Sequence, residues 1–165
     1  MDCPQRVRPP AVAGAFYPAA AELLRSTVDA LLAEAAPPPV RGVLRALIVP
    51  HAGYVYSGPI AASGYAVLAR SSPRPRRLLL LGPAHFTAFS GLALPESGGL
   101  ETPLGAVPID SLATELPGRF AQVIRSDRAH RREHSLEVQL PFLQRVLGPD
   151  FTLLPLAGAL VGMAD

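Results

Sequence analysis

The fold is decided by two neighbouring stretches, residues 43–59, VLRALIVPHAGYVYSGP, and residues 78–85, LLLLGPAH. Each opens on a short apolar run, at 43–49 and 78–81, of the kind that is typical of a buried strand. Between the runs, a Gly-Pro pair suits the first turn of a helix over 58–69. Strand, helix and strand within about forty residues predict a βαβ unit.

The flanking sequence continues this alternation of helices and strands. Leucines and a valine form one stripe over residues 19–35, as in an amphipathic helix. Leucines also recur at helical spacing over 133–147, where Pro141 should either kink the helix or mark its first turn. Further short strands are predicted at 91–94, 107–109 and 151–156, with Asp110 capping a small helix. The pattern predicts an α/β fold, a layered sandwich with a mainly parallel central sheet.

The predicted sheet stops where one more helix is expected. The strand at 151–156 is followed by small residues and then by the last residues of the chain, up to Asp165. A parallel strand normally leads into a crossover helix that covers the sheet. We therefore expect residues 1–165 to form the N-terminal portion of a single domain that is incomplete at the C-terminus.

The composition argues against several classes of function. Fifteen basic residues, all of them arginine, oppose thirteen acidic ones, and a net charge of +2 is too small for the basic surface of a nucleic-acid-binding protein. No apolar run is long enough to span a membrane, and the N-terminus does not resemble a signal peptide. The single cysteine, Cys3, cannot build a disulfide framework or a cysteine zinc site. We expect a cytoplasmic protein.

Two histidines follow the two strands of the predicted βαβ unit at equivalent positions, His51 after the first strand and His85 after the second. Ligands of open α/β sheets bind outside the carboxyl ends of the strands, and neutral histidine is the commonest nitrogen ligand of metals. One such histidine would more often make a single loop hydrogen bond. Two at corresponding strand ends favour a metal site.

A third cluster lies at residues 130–137, HRREHSLE. On a continuous helix His130 and His134 would share one face, as would Glu133 and Glu137, so a chelating pair or a carboxylate-oriented general base could form. The alternative is a solvated, charge-paired helix start, which the local pattern alone favours. The order H-E-x-x-H is absent, which excludes a zincin helix.

Other motifs contribute little. The glycine-rich dinucleotide motif, the Walker motif and the hydrolase elbow are all absent from the sequence. Tyr54 and Tyr56, beside the first histidine loop, suit either hydrogen bonding to a ligand or packing. Ser57 lies near a histidine in sequence, which is weak support for a nucleophile.

Six sequence motifs along the chain resemble those of a known family, the Memo-like proteins, also called AmmeMemoRadiSam system protein B. The resemblance covers essentially the whole chain, and family members run further at the C-terminus. It is carried by RPP at 8–10, AGAFYP at 13–18, VPHAGYVYSG at 49–58, LGPAH at 81–85, TPLG at 102–105 and EHSLEVQLPFLQ at 133–144.

The resemblance implies a fold similar to class III extradiol dioxygenases, which use non-haem iron. It implies that His51 and His85 are metal ligands and that His134 is either the acid/base group or a group behind the ligands. His130 is a further candidate for a position behind the ligands. The family's third ligand is a downstream cysteine. Cys3 is at the wrong end of the chain, so that ligand is absent from this chain.

Two functions follow from these observations. The first is an oxidoreductase-like protein that holds iron or copper, in which a thiolate ligand would favour redox chemistry over ring cleavage. The alternative is a non-catalytic protein that captures a peptide or a small molecule in the same pocket. Radical SAM and AMMECR-type partners are implied by the name of the family's system. The candidate substrate-binding residues are Tyr54, Ser57 and Glu137.

Overall fold

A computed structural model describes residues 6–37, 39–40 and 42–159 of the chain. The helices are α1 (Ala21–Glu34), α2 (Tyr54–Ala69), α3 (Leu116–Arg119), α4 (Asp127–His130) and α5 (Leu140–Leu147), with short 3-10 helices at Ser111–Thr114 and Glu137–Gln139. The strands are β1 (Val7–Arg8), β2 (Arg77–Ala84), β3 (Leu92–Leu94), β4 (Gly99–Thr102), β5 (Gly105–Pro108), β6 (Val123–Arg125) and β7 (Thr152–Ala159). Among these, no helix has both the length and the apolar character needed to cross a bilayer.

The strands form two sheets of mixed direction. The larger sheet has the order β2-β7-β3-β6, and its longest pairing is the parallel one of β2 with β7, from Arg77 opposite Thr152 to Ala84 opposite Ala159. β3 is antiparallel to β7 and parallel to β6. A smaller sheet has the order β1-β4-β5. The predicted α/β class is confirmed, and the likeness to extradiol dioxygenases stays a prediction.

The helices α1, α2 and α5 pack against one another and share one core with Leu153 of β7 and with Leu100 and Val107 of the smaller sheet. Their core includes Leu24 and Val28 of α1, which are fully buried, and Tyr65 of α2, whose ring stacks on Phe142 of α5 at 5.0 Å between centroids. Burying a side chain such as Phe142 contributes about 1.5–3 kcal/mol. The same core includes Leu78 and Leu80 of β2, so this packing holds α2, which His51 precedes, and β2, which His85 follows.

The strand predicted at 43–49 is wrong. Leu44, Leu47 and Val49 pack against the helical core, but the segment forms no strand and takes part in no backbone hydrogen bond among the described residues. The reason is that β2, its expected neighbour, lies across a channel rather than at pairing distance. The predicted βαβ unit is therefore a segment without regular secondary structure, followed by α2 and β2.

The helix predicted over 133–147 is shorter than expected. Residues 133–136 are not helical, and the helical part begins with the 3-10 turn Glu137–Gln139 and continues as α5. Pro141 lies in the first turn of α5, where its missing N–H costs no hydrogen bond, so it begins a helix instead of bending one. The leucine spacing alone could not show whether the helix continues through Pro141 or begins there.

Asp110 joins three elements at the start of β2 and β7. Its carboxylate accepts hydrogen bonds from the Thr152 hydroxyl at 2.6 Å, from the Arg77 guanidinium at 2.5 Å and from the Leu112 N–H at 3.0 Å. These bonds lower its pKa to about 2. Because the folded pKa lies below the unfolded value, the resulting stability is complete above about pH 4 and is lost as the pH falls toward 2.

We expect Asp110→Asn to lower the free energy of unfolding at pH 7 and to lower it much less at pH 2.5. Urea denaturation at pH 7, 4 and 2.5 measures this. Asp150→Asn is the matched control, because Asp150 is exposed and lies 4.0 Å from Arg76, where screening leaves little interaction energy. If Asp110→Asn lowers the free energy of unfolding by the same amount at all three pH values, the charge of Asp110 does not have this stabilising role.

Candidate metal centre

Three histidines that are distant in sequence meet in space. The ring centroids of His51 and His85 are 5.3 Å apart, those of His85 and His134 are 4.5 Å apart and stacked, and those of His51 and His134 are 5.9 Å apart. One ring nitrogen from each lies within 4.8 Å of the other two. The structure thus brings together the two residues predicted as ligands and the residue predicted as the acid/base group.

His51 lies in the loop that leads into α2, and hydrogen bonds from two sides hold this loop. The Tyr54 N–H donates to the Phe16 carbonyl at 2.8 Å, and the Gln139 side-chain amide donates to the Pro50 carbonyl at 3.1 Å. The first bond ties the loop to the N-terminal segment, and the second ties it to the 3-10 turn before α5. The position of His51 therefore depends on elements from both ends of the chain.

His85 directly follows β2, and Glu133 holds it in place. The Glu133 carboxylate is buried, and it accepts hydrogen bonds from the His85 N–H at 2.5 Å and from the His85 ring Nδ1 at 3.0 Å. It also accepts the backbone N–H groups of His134 and Ser135, each at 2.9 Å. One carboxylate therefore links the end of β2 to the turn that carries His134.

The charge of Glu133 sets the tautomer of His85. Burial raises the pKa of Glu133, but the N–H groups of Ser135 and His85 and the His85 ring outweigh it and hold the pKa at about 2. An ionised carboxylate only accepts hydrogen bonds, so Nδ1 of His85 must carry the proton. In the neutral ring Nε2 is then the nitrogen that carries the lone pair, which is the usual carboxylate–histidine arrangement behind metal sites.

The surroundings of His51 and His134 favour the neutral form of these two rings. Burial lowers the pKa of His51, and so does the nearby His85. Burial likewise lowers the pKa of His134, although Glu133 opposes the effect. Neutral imidazole is the form that binds metal ions. His51 and His134 therefore offer nitrogen donors at neutral pH without first having to lose protons.

One buried nitrogen of this cluster lacks a partner. Nδ1 of His134 has no hydrogen bond among the described residues, since the Glu133 carboxylate lies 3.4 Å away without suitable geometry. A buried polar atom left unpaired costs about 1–3 kcal/mol. A ligand that engaged the His134 ring would recover this cost, so the unpaired nitrogen favours an occupant for the site.

The donor set fits a transition metal. Metal–nitrogen bonds of about 2.0–2.1 Å place two nitrogens of a tetrahedral centre about 3.3 Å apart. The three ring nitrogens lie within 4.8 Å of one another, so modest side-chain rotation would bring them to that distance. Imidazole suits zinc, copper, iron and nickel, and the donors alone do not choose among them.

Aromatic side chains form the walls around His134. The ring of Phe16 lies 4.5 Å from that of His134, and the ring of Phe86 lies 6.0 Å from it on another side. The Arg132 guanidinium covers the outer face of Phe86 at 5.0 Å. These walls shield the histidine cluster from water on two sides.

The polar side-chain atoms of the three residues predicted to bind substrate form hydrogen bonds with groups other than the histidine rings. The Tyr54 hydroxyl donates to the Val138 carbonyl at 2.8 Å, and the Ser57 hydroxyl donates to the Ala52 carbonyl at 3.1 Å. Glu137 is fully buried and accepts its hydrogen bonds from the N-terminal segment. Contact of these residues with a substrate stays a prediction.

His130 lies apart from the cluster. α4 ends at His130, so the continuous helix that would place it on one face with His134 does not form. Its buried ring is hydrogen bonded at Nε2 to the Ala93 carbonyl at 2.8 Å, and burial lowers its pKa. The chelating pair considered from the sequence is therefore absent, and Cys3 lies outside the described residues.

Sequence reasoning missed Phe16, and it considered Glu133 only within the 130–137 cluster, without connecting it to His85. Glu133 directly precedes His134 and looks like an ordinary acidic residue at a helix start. Its bond to His85 spans 48 positions, and no local spacing can reveal such a contact. The sequence does contain one indication: Glu133 belongs to the motif at 133–144 that resembles the Memo-like family and that also contains His134.

We expect Glu133→Gln to weaken metal binding by about 10–100-fold, the usual loss when a group that orients a histidine ligand is removed. The amide keeps the shape of the side chain but loses the charge that fixes the His85 tautomer. Competition with a chromogenic chelator measures the affinity. Glu101→Gln, in an exposed position on β4, is the control. Equal affinities for wild type and Glu133→Gln would contradict the orienting role.

Comparison with known proteins agrees with the resemblance stated above. Residues 8–164 match the family model described as Memo-like protein. A MEMO1 family protein of Methanopyrus kandleri is 42% identical over 161 residues, which cover 93% of this chain and 56% of the relative. Another, from Aquifex aeolicus, is 39% identical over 151 residues, covering 92% of this chain and 54% of the relative.

A third relative, the MEMO1 family protein of Ignicoccus hospitalis, is 42% identical over 159 residues, or 91% of this chain and 55% of the relative. The chain thus spans about half the length of the curated relatives it matches. The match runs through both stretches that carry His51 and His85 and through the motif that carries His134. On the family model and these relatives, the chain belongs to the Memo-like family.

Proposed function

We propose that the histidine cluster is a metal centre for redox chemistry, in which His51 and His85 hold iron or copper and His134 moves a proton. The observation that carries the proposal is the convergence of three ring nitrogens within 4.8 Å of one another. Such a metal would supply one-electron chemistry and polarise a bound oxygen-containing group. The remaining steps belong to the residues of this chain.

Two of these residues prepare the ligands. Glu133 holds His85 with its protonated Nδ1 turned inward, which leaves Nε2 as the donor atom. The hydrogen bonds on either side of His51 fix the loop from which that ring projects. Because burial lowers the pKa of His51, this donor is neutral at physiological pH, which is the form that a nitrogen-ligated transition metal requires.

His134 is the residue suited to proton transfer. Its pKa is lowered by burial, so its ring is neutral and able to accept a proton at physiological pH. Nδ1 has no competing hydrogen bond among the described residues. Phe16 and Phe86 pack beside the ring and limit the access of water, which would otherwise exchange the proton.

The test is metal loading followed by a redox assay. Apo-protein is titrated with Fe²⁺ under anaerobic conditions or with copper, and metal content is measured by mass spectrometry. Oxygen uptake is then recorded with ascorbate as the electron donor. We expect one metal ion per chain and oxygen uptake that falls to background in His51→Ala. Uptake that is unchanged in His51→Ala would refute a redox role for this centre.

A second candidate is capture of a peptide or small molecule without turnover. The surface beside the cluster favours it, because Phe86 is 52% exposed and carries the Arg132 guanidinium on its ring. An exposed aromatic ring next to a cation suits a ligand that has both an apolar and an anionic part. Ligand binding that survives removal of all metal by a chelator, with no oxygen uptake, would favour this function.

A further inference from the structure

Two buried polar side chains, Ser135 and Gln139, lie where the segments that carry the three histidines come together. Ser135 is 2% exposed and Gln139 is 4% exposed. Ser135 directly follows His134, and Gln139 ends the 3-10 helix Glu137–Gln139. Polar groups that are buried this deeply are normally hydrogen bonded, so their partners show which parts of the fold they hold together.

The side-chain amide of Gln139 bridges the loop of His51 and the turn of His134. Its Nε2 donates one hydrogen bond to the Pro50 carbonyl at 3.1 Å and another to the Ser135 carbonyl at 3.3 Å. Pro50 directly precedes His51, and Ser135 directly follows His134. Both N–H groups of the amide are therefore used, one on each of these two segments.

The hydroxyl of Ser135 extends this bridge to the third histidine. It donates to the Pro83 carbonyl at 2.7 Å, two residues before His85. β2 approaches Ser135 closely at Gly82, where a Cβ would lie only 2.9 Å from the Ser135 Oγ. One continuous network of hydrogen bonds thus reaches the backbone next to or close to each of the three histidines.

Tyr65 anchors this network in the helical core. Carbonyl oxygens only accept hydrogen bonds, so the two carbonyls must face Nε2 of Gln139 and leave its Oε1 on the other side. The Tyr65 hydroxyl donates to that Oε1 at 2.7 Å, and burial raises the pKa of Tyr65, which keeps the donated proton in place. Because the Tyr65 ring stacks on Phe142, the amide is held in one orientation.

The Glu133 carboxylate alone does not connect all three histidines. Glu133 bonds to His85 and to the turn of His134, so it holds two of them. Among the described residues, only the Gln139 amide is hydrogen bonded to the backbone directly beside both His51 and His134. Donors on three separate segments bind one metal ion well only if they are held to within about 0.5 Å of the required geometry.

We infer that Gln139 and Ser135 are positioning residues of the histidine cluster, whose hydrogen bonds set the spacing of the segments that carry His51, His85 and His134. The consequence for metal affinity rests on the proposed function. The spacing of the rings in the metal-free protein does not, because it follows from the hydrogen bonds alone.

The experiment compares Gln139→Met with Tyr65→Phe. Methionine has a similar length but no hydrogen-bond donor, so both segments are released. Tyr65→Phe also removes a buried hydrogen bond of the network but leaves both Gln139 donors on their carbonyls, which makes it the control for lost stability. Crystal structures of the metal-free variants give the distance between the His51 and His134 ring centroids, now 5.9 Å. We expect a change of about 1 Å or more in Gln139→Met and of less than about 0.5 Å in Tyr65→Phe.

Titration with Co²⁺, followed by the visible absorption of the bound ion, supplies the second measurement. We expect Gln139→Met to bind Co²⁺ at least about tenfold more weakly than Tyr65→Phe, since loss of a group that supports a metal ligand costs about 10–100-fold. The absorption spectrum of bound Co²⁺ should also change in Gln139→Met, because it reports the arrangement of the ligands. A role in stability alone would leave this spectrum unchanged.

Equal ring spacing and equal Co²⁺ affinity in Gln139→Met and Tyr65→Phe would overturn the inference. If the wild type binds no metal, the proposed function fails, and the ring spacing in the metal-free crystal structures alone decides the inference. If Gln139→Met does not fold, the same measurements on Ser135→Ala decide it. Ser71→Ala is then the control, because its hydroxyl makes a similar 2.7 Å bond to the Leu68 carbonyl at the far end of α2.

Discussion

Replacing His85 with alanine is expected to lower the affinity for iron or copper by more than about 100-fold. Removing a residue that merely orients a ligand costs about 10–100-fold, and loss of the ligand itself should cost more. His85 is also the ring that Glu133 holds in a fixed tautomer, so its donor atom is the best prepared of the three. Calorimetric titration of apo-protein with each metal measures the change.

The matched variant is His134→Ala. If His134 moves a proton, as proposed, this variant should keep its metal within about tenfold of the wild-type affinity and lose oxygen uptake. A loss of affinity as large as that of His85→Ala would instead make His134 the third ligand, which its distance to the other two rings permits. Thermal melts of both variants show whether either change unfolds the protein.

Equal metal affinity for wild type and His85→Ala would contradict the metal centre as a whole. The three rings would then form a polar cluster with another purpose, and the unpaired Nδ1 of His134 would be a better guide to it. The aromatic walls and the exposed Phe86 would favour ligand capture over redox chemistry.

The sequence predicted the meeting of His51 and His85 because each follows a strand-like apolar run. Their convergence did not require that both runs be paired strands. Residues 43–49 bond to no neighbour among the described residues, yet they still carry His51 to the end of β2. A run of apolar residues indicates that a segment is partly buried in the core. It does not show whether a neighbouring strand is present to pair with that segment.

Short strands were missed for a related reason. β1, β4 and β6 have two to four residues each, too few for an alternating pattern to emerge. β1 is nevertheless important, because Arg8 at its end reaches the buried Glu137. Long-range partners of this kind are fixed by the folded chain and leave no local trace in the sequence.

The position of Glu137 shows this limit most clearly. The sequence places it beside the site histidines and predicts contact with a substrate. In the structure it is fully buried, with hydrogen bonds from the Ala11 and Val12 N–H groups and from the Tyr17 hydroxyl, and it forms an ion pair with Arg8 at 2.8 Å. Burial and the bond to Glu137 raise the pKa of Tyr17, which keeps its hydroxyl proton in place.

Glu137→Ala is expected to lower the free energy of unfolding by about 3–5 kcal/mol. The variant removes the partner of a buried arginine and leaves an uncompensated charge, together with donors that no longer have an acceptor. Urea denaturation at pH 7 measures the loss. Asp29→Ala is the control, because the ion pair of Asp29 with Arg145 lies on the surface and should contribute less than about 1 kcal/mol.

A double variant separates burial from function. Arg8→Met with Glu137→Leu removes both charges, and a buried ion pair replaced by apolar groups often costs little or nothing, so most of the lost stability should return. If Glu137→Ala is as stable as wild type but loses ligand binding, the contact with substrate predicted from the sequence is correct. If stability falls and the double variant restores it, Glu137 anchors the N-terminal segment against the 3-10 turn that precedes α5. The loop of His51 is tied to both of these elements, so the same charge pair would then support the metal centre without contacting it.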